Sequence, residues 1–156
     1  PRDPEGSVPE GEGPARRQAP RPPGIVADTR LVAYLLIRGE RTRKAEEVFR
    51  RGPGWAVPRL WRSEFRNLLW MYLRRGRSRL DQCAEPAYRA ETLMEGREYQ
   101  VPGGGVLELA GSSACSASDR EFVYLAMDLG IRLVTSDSAL LRAFPAVAVS
   151  LERFTG

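Results

Sequence analysis

The stretch IRLVTSD at residues 131–137 is the clearest strand signal in the chain, since aliphatic and β-branched residues dominate it and an Asp closes it. A second short run, GIVAD at residues 24–28, has the same form and also ends in an Asp. Each run is followed directly by a helical pattern, over residues 29–36 and 138–143. Strands that alternate with helices are typical of βαβ units, so the pattern predicts an α/β domain built around a parallel sheet.

Further elements are predicted outward from these two strands. Ser118 and Glu121 have the spacing of a capping box at the start of one helix, and Gly130 is placed to end it. The glycine run at 103–105 is expected to be a flexible connection. We expect helices at 40–51, 59–75, 81–95, 106–112 and 118–129. The run WAVP at 55–58 leads into the second of these helices, and a last strand is expected at 147–149.

The length of 156 residues suits one folded domain. Residues 1–23 contain seven of the 12 prolines and no Ile, Leu, Phe, Tyr or Trp, so we predict a disordered tail there and a folded domain over 24–156. The longest apolar run, residues 31–37, is far shorter than the roughly 20 residues that span a bilayer. No apolar segment near residue 1 has the form of a secretory signal, so we expect a cytoplasmic protein without membrane contact.

The composition excludes several kinds of catalysis. The chain has no His, two Cys and one Lys, Lys44, which follows no glycine-rich loop. Ser-His-Asp and Cys-His catalysis, the common zinc sites and the P-loop are therefore ruled out. The side chains left for catalysis are mainly carboxylates.

Arginine supplies almost all of the positive charge. The formal net charge is +4, and 23 of the 24 basic residues are Arg, whose planar fork suits phosphate oxygens. This weakly favours a polyanionic partner. The alternative is that arginine-rich runs such as 38–51 reflect a GC-rich genome and solvated helix faces.

Two acids occupy apolar helix faces, where a carboxylate is unexpected. The positions three, four and seven residues from Glu64 are mostly apolar and include Trp61 and Leu68, and Asp119 shares a face with Phe122. Burial of an unpartnered carboxylate costs far more than the packing of one side chain contributes. Both residues therefore call for a compensating positive charge.

Two further acids, Asp28 and Asp137, follow the carboxyl ends of predicted strands, the edge where open α/β sheets bind ligands. Taken singly, Asp28, Asp119 and Asp137 can also be explained as residues that stabilise helix starts. The two interpretations are compatible. Four acids brought together would repel one another unless a divalent cation lay among them, and oxygen donors without His or Cys suit Mg²⁺ or Mn²⁺.

Taken in order, these residues resemble the PIN domain, and most closely the VapC-type toxins of bacterial and archaeal toxin-antitoxin pairs. The resemblance covers residues 24–154 and implies a three-layer α/β/α fold with a central parallel sheet. Its motifs are IVADT at 25–29, VP at 57–58 with LWRSEFRN at 60–67, SASDREFV at 116–123, and LVTSD at 133–137.

The resemblance also implies a function: a ribonuclease that depends on Mg²⁺ or Mn²⁺, cuts RNA with metal-activated water, is inhibited by a cognate antitoxin and forms a homodimer. Two alternatives are a DNA nuclease of the related flap-endonuclease class and a non-catalytic partner-binding module. The implied residues are Asp28, Glu64, Asp119 and Asp137 as the catalytic acids, Asp28 and Asp119 as direct metal ligands, and Asn67 and Thr135 as hydrogen-bonding support.

Departures from the family pattern concern two positions. Arg30 stands where the family often has Ser or Asn, and Ser118 stands where an aromatic residue often precedes the third acid. Neither change removes a carboxylate. Arg30 would place a positive charge beside the site, where it would either bind substrate phosphate or block the metal.

An antitoxin surface is expected on the arginine-rich helices 41–51 and 59–75. Trp55, Trp70 and Met71 lie near this stretch and are not all required by the inward-facing stripe of the long helix. Exposed aromatic residues beside Arg are typical of interface anchors. The alternative is that Trp70 and Met71 pack on the helix of residues 81–95.

Overall fold

The computed structural model describes residues 21–109 and 114–156, which form a five-stranded sheet flanked by helices. All strand pairs are parallel, and the strand order is β3-β2-β1-β4-β5. The predicted three-layer α/β/α fold with a central parallel sheet is therefore confirmed. The strands are β1 (Ile25–Ala27), β2 (Trp55–Pro58), β3 (Glu98–Tyr99), β4 (Arg132–Val134) and β5 (Ala148–Val149).

The helices connect the strands and cover the sheet. Helices α1, α2, α3 and α4 pack among themselves, while α6 packs on β1, β2 and β4 and is joined by α5. The helices are α1 (Thr29–Leu36), α2 (Thr42–Arg51), α3 (Trp61–Arg74), α4 (Leu80–Met94), α5 (Gly103–Glu108), α6 (Ala117–Leu129), α7 (Ser138–Ala143) and α8 (Leu151–Thr155). No helix among the described residues is both long and apolar enough to cross a bilayer.

The order of the strands creates a crevice between β1 and β4. From β1 the chain moves to β2 and β3 on one side, and it then returns past β1 to β4 and β5 on the other side. Because such crossovers are right-handed, the reversal places α1–α4 and α5–α6 on opposite faces of the sheet. The loops after β1 and β4 consequently diverge, which is the place where open α/β sheets bind their ligands.

Buried apolar side chains explain why these short strands form. Every residue of β1 and β2 is buried, as expected for a parallel sheet that is covered on both faces. Trp55 is only 1% exposed, so the expectation that it contributes to a surface is wrong. It is a core residue because β2 lies inside the sheet, between β1 and β3.

The start of α6 differs from the sequence prediction. The segment SASDRE contains two overlapping frames with the Ser-x-x-acid spacing, and the capping box forms between Ser116 and Asp119 instead of between Ser118 and Glu121. Arg120, in the first turn, is buried and donates hydrogen bonds to the carbonyl oxygens of Leu109 and Cys115. These contacts help to hold the start of α6, whose capping Ser lies two residues before the predicted one.

The glycine run is another correction, because Gly103–Gly105 form the first turn of α5 and are not a loose connection. A Cβ atom at Gly105 would collide with the ring of Tyr124 on α6, so the glycine allows these two helices to approach closely. The sequence pattern does not predict the short elements β3 and α8, and the expected continuation of α5 through 110–112 lies outside the described residues. The predicted tail lies there too, except for residues 21–23.

Two glycines allow a matched test of backbone conformation. Gly130 ends α6 with φ at 64°, in the left-handed region, whereas Gly104 lies inside α5, and a Cβ at either position meets no neighbouring atom. We expect Gly130→Ala to lower the free energy of unfolding by about 1 kcal/mol, because an L side chain is strained in that conformation. Gly104→Ala should raise it by about 0.5 kcal/mol. Urea unfolding monitored by circular dichroism measures both changes in the free energy of unfolding. Equal effects of the two substitutions would contradict the left-handed conformation of Gly130.

Candidate active site

Four acids from four different elements line one pocket of about 210 Å³ at the carboxyl ends of β1 and β4. Larger grooves exist elsewhere, including one of about 680 Å³ beside Phe49 and Trp55, but they do not gather acids in this way. The four predicted acids thus meet although they are widely separated in the chain. The pocket is lined by Asp28, Thr29, Arg30, Glu64, Asp119, Phe122, Asp137 and Leu140.

Asp28 is the most deeply placed of the four, with 8% of its surface exposed. It is the N-cap of α1, and its Oδ1 accepts hydrogen bonds from the backbone N–H groups of Arg30 (2.5 Å) and Leu31 (3.4 Å). Its Oδ2 accepts a short hydrogen bond from the hydroxyl of Thr135. Burial raises the pKa of Asp28 above its ordinary value of 3.8, although these hydrogen bonds and the charge of Arg30 act in the opposite direction.

Thr135 connects two of the acids. Its side chain is fully buried at the end of β4, where its hydroxyl donates to Asp28 and accepts a 3.0 Å hydrogen bond from the backbone N–H of Asp137. A single hydroxyl therefore sets the positions of the loops that follow β1 and β4. Thr135, predicted as hydrogen-bonding support, thus contacts two of the four acids.

Glu64 is half-buried on α3 and reaches across to α1, where its Oε2 accepts a 2.7 Å hydrogen bond from the Thr29 hydroxyl. Burial raises the pKa of Glu64 above its ordinary value of 4.5, and the charges of Asp119, Asp28 and Glu121 raise it further. Neither Thr29 nor Glu121 is predicted from the sequence as a site residue. The position of Thr29 next to Asp28 in the motif IVADT is the sequence feature that could have indicated its place at the site.

Asp119 and Asp137 are each held through one carboxylate oxygen. The Oδ2 atom of Asp119 accepts from the backbone N–H (3.0 Å) and the hydroxyl (2.8 Å) of Ser116. The Oδ1 atom of Asp137, the N-cap of α7, accepts from the N–H groups of Ala139 (2.8 Å) and Leu140 (3.2 Å). Through these bonds both acids cap a helix. The second oxygen of each has no hydrogen bond from any described residue and is therefore available to a ligand.

Two other predicted features fall differently around the pocket. Arg30 lines it and is exposed, so the positive charge lies beside the acids as expected. Asn67 is exposed and does not line the pocket, and its side chain has no hydrogen bond to another described residue. No contact among the described residues therefore supports the predicted role of Asn67.

The donors suit a hard cation that keeps much of its water. Within 21–109 and 114–156, no three His, Cys, Asp or Glu side chains converge closely enough to form a complete metal cage. Mg²⁺, however, is commonly held by one or two carboxylates and several waters. A pocket lined by four carboxylates, two with pKa values raised by burial, fits such an ion.

Two known proteins are similar to this chain over most of its length. The chain is 27% identical to Ribonuclease VapC3 of Pyrobaculum aerophilum over 126 residues, which covers 79% of this chain and 96% of that protein. That relative is a ribonuclease. The crystal structure of PAE2754 from Pyrobaculum aerophilum has a similar fold, with a TM-score of 0.63, 22% identity and coverage of 82% of this chain and 83% of that one. No protein-family model matches the chain.

The raised pKa of Glu64 leads to a prediction about stability. A carboxyl whose pKa is raised on folding stabilises the fold fully below its unfolded pKa, and this contribution is lost as the pH rises through the folded pKa. Glu64→Gln should therefore melt at a higher temperature than the parent protein at pH 7 in chelator. If removal of the charge stabilises the fold by about 1 kcal/mol, the melting temperature rises by a few degrees. The difference should disappear below about pH 4.5, the ordinary pKa of Glu.

The matched control is Glu40→Gln, which removes the same charge from an exposed turn and should leave the melting temperature nearly unchanged at both pH values. A Glu64→Gln protein that is less stable than the parent at pH 7 would show that the carboxylate is well accommodated without a cation. Differential scanning calorimetry provides the measurement.

Proposed function

We propose that this chain is a divalent-metal-dependent endoribonuclease and the toxin of a toxin-antitoxin pair. The observation that carries the proposal is that Asp28, Glu64, Asp119 and Asp137 all line one pocket at the sheet crevice. The similarity to a ribonuclease over most of the chain supports the same reaction class. The absence of His and the scarcity of Lys leave these carboxylates as the groups able to bind a cation and handle protons.

We propose for each acid the role that the family resemblance implies. Asp28 and Asp119 would hold Mg²⁺ or Mn²⁺ directly, with Glu64 and Asp137 acting through water or at a second ion. The bound ion would supply Lewis acidity and lower the pKa of a water molecule. Thr135 keeps Asp28 and Asp137 in register, and Thr29 orients Glu64 toward the same pocket. The hydrogen bonds from Thr135, Arg30 and Leu31 favour the ionised form of Asp28 that ligation requires.

Cleavage assays test this proposal. We expect the protein to cut single-stranded RNA with Mg²⁺ or Mn²⁺ and to lose this activity in excess EDTA. Asp28→Asn and Asp119→Asn should each reduce the rate by more than about a hundredfold, the scale expected when a group that positions charge in the transition state is removed. Circular dichroism should show that both variants remain folded.

The control is Asp128→Asn, which changes an exposed acid on the same helix as Asp119 and should cleave at the parental rate. Cleavage that persists in EDTA would contradict the metal mechanism. Faster cutting of single-stranded DNA than of RNA would favour the flap-endonuclease alternative. A protein that cuts no RNA and is not stabilised by Mn²⁺ would favour a binding module.

We further propose that an antitoxin docks on α3. Trp70 is 58% exposed and Met71 is 41% exposed, which favours a free surface over the alternative that they pack on α4. Their neighbour Leu69 is buried, which is why α3 turns these two side chains outward. The proposed antitoxin lays an apolar helix on this surface and places a basic or blocking residue at the acids. The predicted homodimer stays a prediction.

Replacement of Trp70 tests the antitoxin surface. Trp70→Glu should weaken antitoxin binding by about 30-fold or more, the effect of losing an aromatic anchor, and should leave the melting temperature and RNA cleavage unchanged. Leu107→Glu on α5 is the control, since it places the same charge at another exposed apolar position, on the other face of the sheet. Binding that survives Trp70→Glu would show that the antitoxin lies elsewhere.

A further inference from the structure

Arg30 is the one positively charged side chain among the residues described as lining the acidic pocket. It occupies the first turn of α1, two residues after Asp28, and its backbone N–H is already used to hold the Asp28 carboxylate. The guanidinium extends from a backbone that this hydrogen bond anchors. Its charge is close enough to Asp28 to favour the ionised carboxylate.

The guanidinium itself has no partner among the described residues. Ion pairs form at Arg41, Lys44, Arg51, Arg62 and Arg79, but none involves Arg30, although four carboxylates line the same pocket. A side chain that blocked the cation site would have to pair with at least one of those carboxylates. The observed arrangement thus favours the other interpretation of Arg30, in which the guanidinium is kept for a ligand.

The ligand that the pocket must admit is an anion. A phosphodiester that approaches four carboxylates is repelled, and one divalent cation offsets only part of their charge. A guanidinium offers two parallel N–H donors that match the two non-bridging oxygens of a phosphate. Arg30 supplies such a fork at the rim of the pocket, on an exposed side chain that can adjust to the strand.

We propose that Arg30 binds a backbone phosphate of the RNA substrate at the mouth of the pocket and thereby positions the scissile bond against the acids. This inference rests on the proposed ribonuclease function. It assigns to Arg30 a contact with substrate and no part in holding the cation. Arg30 thereby provides the attraction for phosphate that the four acids lack.

Binding measurements test the contact independently of cleavage. A short fluorescent single-stranded RNA is titrated, in the Asp119→Asn background with Mn²⁺, against proteins that carry Arg30, Arg30→Ala or Arg30→Lys. We expect Arg30→Ala to weaken binding about tenfold and to reduce the slope of log affinity against log salt by about 0.7, the value for one phosphate contact on a single strand. Arg30→Lys should restore the salt slope but only part of the affinity, because Lys lacks the planar fork.

Arg153→Ala is the matched control: it removes the same formal charge from an exposed position on α8 and should leave RNA binding unchanged. With Asp119 intact, Arg30→Ala should raise KM for cleavage at least tenfold, while Mn²⁺ binding measured by calorimetry in the absence of RNA should not weaken. Cleavage by the parent protein together with unchanged RNA affinity and KM in Arg30→Ala would overturn the inference.

Tighter Mn²⁺ binding and faster cleavage by Arg30→Ala, with RNA affinity unchanged, would likewise overturn it and identify Arg30 as a block on the cation site. If the parent protein cut no RNA, yet Arg30→Ala still weakened binding and lowered the salt slope, the proposed ribonuclease function would fail while the phosphate contact stood.

Discussion

The hydrogen bonds to the buried Asp28 carboxylate are the interaction on which the site depends. An ionised carboxylate with 8% exposure has lost most of its hydration, a cost of several kcal/mol in a protein interior. Three donors offset this cost: the Thr135 hydroxyl and two backbone N–H groups at the start of α1. Hydrogen bonds to a charged group contribute about 1.5 to 3 kcal/mol each, so they offset much of this cost, while burial still keeps the pKa of Asp28 raised.

Because Thr135 also accepts from the backbone of Asp137, the same network joins the ends of β1 and β4. These strands are neighbours in register, with Ala27 opposite Val134, and the chain leaves them toward opposite sides of the sheet. The strand order therefore creates the crevice between them, and the Thr135 hydroxyl links its two sides. A change at Thr135 would disturb two acids at once.

Helix capping and ligand binding use the same carboxylates here. Asp28 and Asp137 are N-caps, and Asp119 completes the capping box of α6, so each acid satisfies free N–H groups at a helix start. For Asp119 and Asp137 this uses one oxygen and leaves the other without a described partner. Glu64 differs, because it lies within α3 and depends on the Thr29 hydroxyl and on its neighbours. Burial raises its pKa, as it does for Asp28, and the nearby charges of Asp119, Asp28 and Glu121 act in the same direction.

The local pattern of the sequence determined the elements that carry the acids. Apolar runs, caps and Gly130 predicted β1, β4, α7 and the end of α6, because these depend on contacts within a few residues. The carboxylate of Glu64 on an apolar stripe indicated a functional site from the spacing within one helix alone. Local pattern also left ambiguities: SASDRE offered two capping frames, and the glycines of α5 suggested a loop.

Only the tertiary structure decided which residues meet. It paired Thr29 with Glu64 across 35 positions and Thr135 with Asp28 across 107, and it left Asn67 outside the pocket. It also buried Trp55, exposed Trp70 and left the Arg30 guanidinium beside four acids with no partner among the described residues. The physical reason is that strand order and helix packing are set by the summed burial of the whole chain, which brings distant side chains together in ways that spacing along the sequence does not encode.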